Sequence, residues 1–269
     1  MFVDSHCHLT FPELQARFDA ILGDMAAAQV DGALCICTAM EEFPAVLATA
    51  RSQPRFWASV GVHPDTENMT EPSVDELCRH AADPKVIAIG ETGLDYYRLE
   101  GRSVADMEWQ RERFRTHIRA ARRSGLPLVI HTRSASEDTL RLMAEEGAGE
   151  AGGVFHCFTE TMAVARAALD MGFLISFSGI LTFRNAEDLR EVARMVPLER
   201  CLIETDSPFL APVPYRGKTN SPAYVPHVAA ELAKQKGLSI EEIAQATTRN
   251  FERLFKVSLD PAAAAVPAL

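Results

Sequence analysis

Short apolar runs with the length and composition of buried strands recur along the chain. Runs of three to seven apolar residues, bounded by turn-forming or polar residues, are typical of strands covered on both faces. The first run is shorter and is accepted partly because of the residues that follow it. The eight runs are Phe2–Val3, Ala33–Thr38, Phe56–Val62, Val86–Gly90, Leu126–Ile130, Gly153–Phe155, Phe173–Phe177 and Cys201–Ile203.

Between these runs lie segments whose apolar residues recur at helical spacing. One helix is predicted from Pro12 to Gln29, and another is predicted to end at Gly125, a residue type that favours helix C-caps. The stripes consist of Leu14, Phe18, Ile21, Leu22 and Met25 in the first segment, of Phe114, Ile118 and Ala121 in the second, and more weakly of Leu140 with Met143 and of Leu189, Val192 and Met195.

Strands that alternate with helices indicate parallel pairing through crossover helices. Eight such units match a closed (β/α)8 TIM barrel of the α/β class better than an open doubly wound sheet, and about 250 residues is a common size for this barrel. We expect a single barrel domain over residues 1–260, followed by a flexible tail over residues 261–269, where Ala and Pro predominate.

Composition limits the way in which this protein can meet a phosphate-bearing partner. The chain has 269 residues, of which 47% are hydrophobic, and its formal net charge is −10. Proteins that hold duplex DNA by their general field are basic, because Lys and Arg neutralise the phosphates. Any phosphate-bearing substrate must therefore be attracted by a local site.

The cysteine pattern and the N-terminal sequence predict a protein of a reducing compartment. Six cysteines occur without any CxxC pair, and four of them lie within apolar runs, where buried free thiols are common. The start of the chain resembles no signal peptide, and no run approaches the roughly 18 apolar residues that span a bilayer. We expect a cytoplasmic protein without a membrane anchor and without an obligate protein partner.

Ionisable residues follow six of the eight apolar runs at their C-terminal ends. In a (β/α)8 barrel these ends converge on one face, which is where active sites are built. The segments are Asp4-Ser5-His6-Cys7-His8, Gly61-Val62-His63-Pro64, Gly90-Glu91-Thr92-Gly93-Leu94-Asp95, Ile130-His131-Thr132-Arg133, Phe155-His156-Cys157 and Ile203-Glu204-Thr205-Asp206-Ser207-Pro208.

The spacing of His6 and His8 predicts that both imidazoles point into the barrel, because side chains alternate along a strand. Two histidines at this spacing are a weak signal alone. With His131, His156 and Asp206 they become a set of four imidazoles and one carboxylate, which suits a divalent transition metal. Glu91 adds a second carboxylate that is placed to bridge two ions.

Other conspicuous residues have simpler interpretations. His80 and His117 are expected to be solvated side chains of helix surfaces, and phosphate contact by His117 stays open. His227 follows a proline near a helix start, where a capping or surface role is as plausible as chemistry. Cys157 has the wrong strand parity to share the metal of His156, and Cys35-x-Cys37 has no partner pair for a zinc site.

The motifs resemble those of the TatD family of metal-dependent DNases, within the amidohydrolase-like superfamily of metal barrels. The resemblance extends over nearly the whole chain and includes no missing ligand. It rests on Asp4-Ser5-His6-Cys7-His8-Leu9, Gly61-Val62-His63-Pro64, Gly90-Glu91-Thr92-Gly93-Leu94-Asp95-Tyr96, Ile130-His131-Thr132-Arg133, His156-Cys157-Phe158, Glu204-Thr205-Asp206-Ser207-Pro208 and Thr248-Arg249-Asn250-Phe251.

The resemblance implies an enzyme that hydrolyses phosphodiester bonds of DNA with two divalent metal ions, largely by trimming single-stranded ends. Zn, Mn, Co, Ni and Mg are all compatible with such ligands. His63, Asp95, Tyr96 and Arg133 are the expected substrate contacts, and Asp206, Glu91 and His63 are the expected catalytic residues. The ligands that the resemblance implies are His6, His8, Glu91, His131, His156 and Asp206.

Metal-assisted hydrolysis is the expected chemistry, in which Asp206 orients or deprotonates the attacking water. His63 and Arg133 would stabilise charge on the phosphate, and Glu204 would fix the tautomer of a histidine ligand. Two ions and two carboxylates leave a local charge of about +2, which attracts a phosphodiester despite the acidic surface.

Arginines and aromatic residues near the barrel mouth suggest how a nucleic acid is held. Arg98 and Arg102 are candidates for phosphate contact, whereas from Arg111 onwards a salt-bridged helix face is the simpler interpretation. Only 7% of the residues are aromatic, which favours a grip on one or two terminal nucleotides over an extended channel. The candidates for stacking are Tyr96, Tyr97 and Phe158.

Two alternatives stay open from the sequence. The same binuclear barrel can hydrolyse a lactone, an amide or a cyclic imide, which would need neither His63 nor the arginines. A non-catalytic barrel that only binds metal or a partner would bind metal without turnover, and its function would survive replacement of Asp206.

Overall fold

Eight parallel strands and the helices between them form a barrel in the computed structural model, which describes residues 1–260. The predicted tail lies outside the described residues. The strands pair in chain order, each with the next along the sequence. They are β1 Phe2–Cys7, β2 Val30–Cys35, β3 Phe56–Val60, β4 Val86–Asp95, β5 Leu128–Arg133, β6 Gly153–Phe155, β7 Leu174–Phe177 and β8 Cys201–Ile203.

Ten α-helices occur over the described residues, eight of them on the crossovers between strands and the last two after β8. The helices are α1 Pro12–Gln15, α2 Phe18–Ala27, α3 Phe43–Ser52, α4 Val74–Ala81, α5 Glu108–Ser124, α6 Ser136–Glu145, α7 Met162–Asp170, α8 Glu187–Met195, α9 Val225–Lys236 and α10 Ile240–Phe255. The alternation confirms the predicted (β/α)8 TIM barrel of the α/β class.

Contacts between the first strand and the residues after the last strand bring the two edges of the sheet together. Cys7 and Ser207 form a parallel bridge. The amide of His8 donates to the carbonyl of Ser207 at 2.9 Å, and the amide of Asp206 donates to the carbonyl of His6 at 3.0 Å. These hydrogen bonds place Asp206 beside His6 and His8, which are far from it in the sequence.

The core has two layers, as expected for strands that are covered on both faces. A large cluster fills the space between strands and helices, and a smaller one fills the barrel interior. Phe251 and Phe255 of α10 close the interior at the amino ends of the strands, where Phe251 packs against Trp57. Asn250 fixes this helix by donating to the carbonyls of Leu198 and Cys201, both at 2.8 Å. The late Thr248–Phe251 motif therefore closes the barrel opposite the predicted site.

Two kinds of boundary differ from the sequence predictions. β1, β4 and β5 continue through the polar residues at which the apolar runs stop, because those side chains point into the barrel mouth. The helix predicted from Pro12 to Gln29 is two helices, with a break around Arg17, whose backbone is not helical. The eight strands themselves are confirmed.

The six cysteines are free thiols. Of the four that lie in apolar runs, Cys35, Cys37 and Cys201 are buried as expected, whereas Cys157 is half-buried; Cys7 is also buried. Within residues 1–260, no helix is both long and apolar enough to cross a membrane.

Candidate metal centre

A cavity of about 700 Å³ opens at the carboxyl ends of the strands. Residues from the ends of β1, β4, β5 and β6 and from the segments after β3 and β8 line it, as the barrel topology predicts. The lining comprises His8, Phe11, Thr38, His63, Asp65, Thr66, Glu91, Arg98, His131, Thr132, Arg133, His156, Cys157, Thr159, Ile180, Asp206, Phe209 and Leu210.

Irregular strand pairing brings the ligand candidates to this mouth. The register of β1 against β2 shifts between Asp4 and Cys7, and the register of β4 against β5 shifts between Ile89 and Thr92. Such bulges redirect side chains and are frequent beside active sites. Gly90 permits the second shift, because its φ is +148° and a Cβ there would lie 2.7 Å from the Val129 carbonyl oxygen. The next residue, Glu91, thereby reaches the centre of the site.

Glu91 lies between two groups of histidines. Its Oε2 lies 3.3 Å from Nε2 of His6 and 3.9 Å from Nε2 of His8. Its Oε1 lies 2.8 Å from Nε2 of His156 and 3.2 Å from Nδ1 of His131. The carboxylate is buried, so its two oxygens each serve a different pair of imidazoles. Glu91 therefore links two groups of candidate donor atoms.

Asp206 completes the group around the first two histidines. Its Oδ1 lies 3.3 Å from Nε2 of His8 and 3.5 Å from Nε2 of His6. The two imidazole Nε2 atoms are themselves 3.3 Å apart, so three donor atoms converge on one point. The Asp206 backbone has a φ of +55°, a conformation that Asp and Asn tolerate better than most residues.

The donor set fits divalent metal ions. Three groups have all their donor atoms within 4.8 Å of one another: His6 with His156 and Asp206, His6 with His8 and Glu91, and His63 with Glu91 and His131. Mixed imidazole and carboxylate donors suit Zn, Mn, Co and Ni. The buried Nδ1 atoms of His6 and His8 find no hydrogen-bond partner, so neither ring is held by a bond on its far side. The donor atoms of each group thus lie close enough together to hold a metal ion.

Two further carboxylates hold the outer nitrogens of the other histidines. Oε1 of Glu204 lies 3.2 Å from Nδ1 of His156 and accepts a hydrogen bond from the amide of Cys157 at 2.8 Å. Oδ2 of Asp95 lies 3.0 Å from Nε2 of His131. Each carboxylate thus fixes which ring nitrogen faces Glu91, a role that orients metal-ligating histidines in proteins.

The electrostatics of the site depend on these close contacts. Burial acts to raise the pKa of Glu91, but His156, His63 and His6 outweigh it and hold that pKa well below its usual range. Burial acts to lower the pKa of His156, but Glu91 and Glu204 raise it well above its usual range. Burial and the neighbouring His156 lower the pKa of His6. Glu91 is therefore an ionised carboxylate despite its burial.

Replacing Glu204 with glutamine is expected to weaken metal binding about 10- to 100-fold, the usual effect of losing a carboxylate behind a histidine ligand. Glutamine keeps the shape and an acceptor for His156 but removes the charge that makes this imidazole a stronger donor. Competition with a chromogenic chelator measures the affinity. Glu150→Gln, which changes only a surface carboxylate paired with Arg122, is the control. Equal metal affinity in wild type and Glu204→Gln would contradict this role.

The predicted substrate contacts divide into two groups. His63 and Arg133 line the cavity, and Nδ1 of His63 pairs with Asp65, which lies outside the predicted set. The guanidinium of Arg133 lies 3.6 Å from the ring centroid of Tyr97. Tyr96 is instead buried behind the mouth, where its hydroxyl donates to Asp138 at 2.8 Å.

The remaining predicted contacts also differ in position. Asp95 contacts His131 rather than the cavity. Of the two arginines, Arg98 lines the cavity, whereas Arg102 pairs with Glu67 at 2.7 Å. Phe158 is 2% exposed and belongs to the core, so the structure does not bring it to the mouth.

The expectation that His117 is a surface residue is wrong. Its side chain is fully buried, its Nε2 accepts a hydrogen bond from the Val62 amide at 3.0 Å, and its Nδ1 lies 2.8 Å from the Arg113 carbonyl. Burial lowers the pKa of His117 to about 4, so the ring is neutral and accepts the amide proton. The helical spacing of Phe114, His117 and Ile118 was the signal, since it places all three on the buried stripe.

Arg113 is buried as well, and the surface interpretation of the helix is wrong there. Its Nη1 donates to the carbonyls of His63 at 2.9 Å and Thr66 at 2.8 Å, while its Nη2 pairs with Glu71 at 2.5 Å. Arg111 is likewise buried. Helix α5 therefore fixes the main chain that carries His63. From Arg115 onwards the predicted salt-bridged face is present, with partners such as Glu112 and Glu146.

Two other histidines have partners that the sequence did not indicate. His80 is half-buried, and its ring centroid lies 4.6 Å from that of Phe43. His227 is half-buried against Tyr215, with ring centroids 5.1 Å apart. Neither lines the cavity, and His80 is only partly solvated, unlike the surface side chain predicted from the sequence.

The chain resembles known proteins over nearly its whole length. A family model described as TatD related DNase matches residues 3–256. The uncharacterised metal-dependent hydrolase YcfH of Escherichia coli K12 is 47% identical over 259 residues, which cover 95% of this chain and 96% of YcfH. A protein of Escherichia fergusonii named 3′-5′ ssDNA/RNA exonuclease TatD is 32% identical, with coverage of 95% and 99%. The crystal structure of YjjV, a TatD homologue of Escherichia coli K12, superposes with a TM-score of 0.88 at 29% identity, covering 96% of this chain and 98% of YjjV.

Proposed function

The chain belongs to the TatD-related DNase family of metal-dependent hydrolases, and from this premise we propose that it cleaves phosphodiester bonds of DNA at single-stranded ends. The observation that carries the proposal is the position of Glu91, whose two oxygens face separate pairs of histidines. Such a centre suits the two-ion hydrolysis of phosphodiesters, in which both the attacking and the leaving oxygen need stabilisation.

The proposed ligands are His6, His8, Glu91, His131, His156 and Asp206. Divalent ions held by them would supply Lewis acidity, which lowers the pKa of water and neutralises phosphate charge. Asp206 is the proposed general base, because it is ionised, lines the cavity and has the most exposed side chain of the ligand carboxylates. Burial acts to raise its pKa, but His8, His6 and His156 lower it below the usual range.

His63 is proposed to contact the phosphate of the substrate. Its Nε2 lies 3.4 Å from Oε1 of Glu91, and its Nδ1 pairs with Asp65. The rigid main chain around it, fixed by Arg113, keeps the ring in place. His63 also belongs to one of the three donor groups, together with Glu91 and His131.

Arg98 and Arg133 give the cavity a positive side that a phosphodiester needs in a protein of net charge −10. Arg133 is held over Tyr97, which orients its guanidinium without neutralising it. The acidic remainder of the surface offers no support for an extended nucleic-acid path. A grip on a strand end is therefore favoured, and the relative named 3′-5′ ssDNA/RNA exonuclease supports the same substrate class.

The main rival is hydrolysis of a lactone, an amide or a cyclic imide on the same centre. Arg98, Arg133 and His63 have no task with an uncharged substrate, which favours the phosphodiester. The non-catalytic alternative leaves Arg98 and Arg133 in the cavity lining without a role. The free thiols fit the cytoplasmic location, which stays a prediction.

A substrate panel tests the proposal. Metal-stripped protein is supplied with Mn, Co, Zn or Mg and assayed on a chromogenic phosphodiester, on lactones and on cyclic imides. Metal-dependent phosphodiester cleavage that inorganic phosphate inhibits is expected. Turnover of only the carbon substrates, insensitive to phosphate, would replace the proposal with its rival, and metal binding without any turnover would favour the non-catalytic barrel.

A further inference from the structure

Two phenylalanine rings form an apolar wall of the cavity beside the metal centre. Phe11 follows β1, and Phe209 lies three residues after Asp206. The Phe11 ring stacks on the imidazole of His8 with centroids 4.7 Å apart, and the Phe209 ring packs edge-on against Phe11 at 6.0 Å. The wall thus begins at a proposed ligand and extends outward from it.

The Phe209 ring is exposed to solvent although the backbone beneath it is fixed. It is 52% exposed, whereas many of the other phenylalanines are buried. The fully buried Asn220 donates from Nδ2 to the carbonyls of Phe209 at 2.6 Å and Thr205 at 2.8 Å. The amide of Phe209 donates to the carbonyl of Asp206 at 3.0 Å. An aromatic ring that is exposed on a rigid backbone inside a polar cavity is preorganised to receive an apolar surface.

The cavity therefore combines two kinds of chemistry. Ile180 and Leu210 add apolar side chains to its lining, and Arg98 and Arg133 add positive charge. A terminal nucleotide has the matching division: a flat aromatic base is joined through one sugar to an anionic phosphate. The centroid of Phe209 lies 6.5 Å from that of His8, so the wall is within reach of a base whose phosphate lies at the centre.

We propose that Phe209, supported by Phe11, is the subsite on which the base of the terminal nucleotide stacks while its scissile phosphate lies between Glu91 and Asp206. The proposal deepens the proposed function and rests on it. Because every base has a π-face, stacking of this kind tolerates any sequence. The enzyme would accordingly require a base at the end of the strand but would not distinguish one base from another.

The test compares oligodeoxynucleotides that end in a normal nucleotide with the same strands ending in a tetrahydrofuran abasic residue, prepared at either end. Stacking on one base is worth roughly 5- to 100-fold in binding. Wild type with Mn is expected to favour the base-bearing end by a ratio of that size in kcat/KM. Phe209→Leu should bring the ratio close to one, and Phe209→Trp should retain it.

Binding provides a second measurement that does not depend on turnover. A terminal 2-aminopurine loses fluorescence when it stacks, so its quenching is followed in the Asp206→Asn background with and without Phe209→Leu. Phe183→Leu is the control, because this half-buried ring packs against the guanidinium of Arg216 and does not line the cavity. Loss of quenching in Phe209→Leu alone supports the subsite.

The outcomes separate this inference from the function on which it rests. Wild type that cleaves both kinds of end equally, or a ratio that Phe209→Leu leaves unchanged, would overturn the subsite while the nuclease assignment stands. Absence of cleavage of any strand with any metal would remove the nuclease assignment itself. Quenching that persists in Phe209→Leu would assign base stacking to another part of the site.

Discussion

Replacing Glu91 with glutamine is expected to remove both metal binding and turnover. In wild type, Oε2 of Glu91 lies 3.3 Å from Nε2 of His6, and Oε1 lies 2.8 Å from Nε2 of His156. Glutamine has the same shape but keeps only one oxygen and no charge, so it cannot serve both groups of histidines. Because metal ions contribute several kcal/mol to transition-state stabilisation, kcat/KM should fall on the order of 10³-fold or more.

Metal content measured by elemental analysis after gel filtration gives the second readout of this variant. We expect wild type to keep two ions per chain and Glu91→Gln to keep one or none. Glu160→Gln is the matched control, since Glu160 is half-buried and lies outside the cavity lining. A Glu91→Gln protein with full metal content and turnover within tenfold of wild type would show that Glu91 bridges nothing.

Replacing Asp206 with asparagine is expected to have a different signature, because this side chain is proposed to act on water as well as on metal. Asparagine keeps an oxygen that faces His8 and His6, so metal content should stay near that of wild type. It cannot accept a proton, and loss of a general base typically costs about 10²- to 10⁴-fold. The expected result is a fall of that size in kcat with little change in KM.

The backbone at Asp206 makes asparagine the appropriate substitution. With φ at +55°, alanine would add strain, whereas asparagine adopts this conformation readily. The Tm of thermal unfolding should therefore be similar for wild type and Asp206→Asn and lower for Asp206→Ala. A fully active Asp206→Asn protein would assign the proton transfer to another group.

The ligand positions could be predicted because the barrel imposes them. Once His6, Glu91 and Asp206 are known to follow apolar runs, parallel pairing of the strands predicts that they lie at the same mouth of the barrel. The hydrophobic pattern does not show where each strand ends, because a strand can continue past its apolar run through polar residues that point inward. β1 and β4 are longer than their apolar runs for this reason.

The substrate side of the site could not be predicted in the same way, because loop paths and helix docking decide it. Tyr96 follows β4 but turns inward to Asp138, whereas Phe209, which no pattern distinguished, remains exposed beside the centre. His117 lies among arginines in the sequence, but helix α5 packs with that face inward, so His117 is bonded to the Val62 amide. Such outcomes depend on contacts between distant segments.

The most direct test of the phosphodiesterase assignment is digestion of single-stranded DNA labelled separately at each end. Metal-stripped wild-type protein is incubated with the strands alone and with added Mn or Mg, and products are resolved at single-nucleotide length. We expect stepwise shortening from one end that requires the metal and disappears in Glu91→Gln. Intact strands from protein that demonstrably holds its metal ions would contradict it.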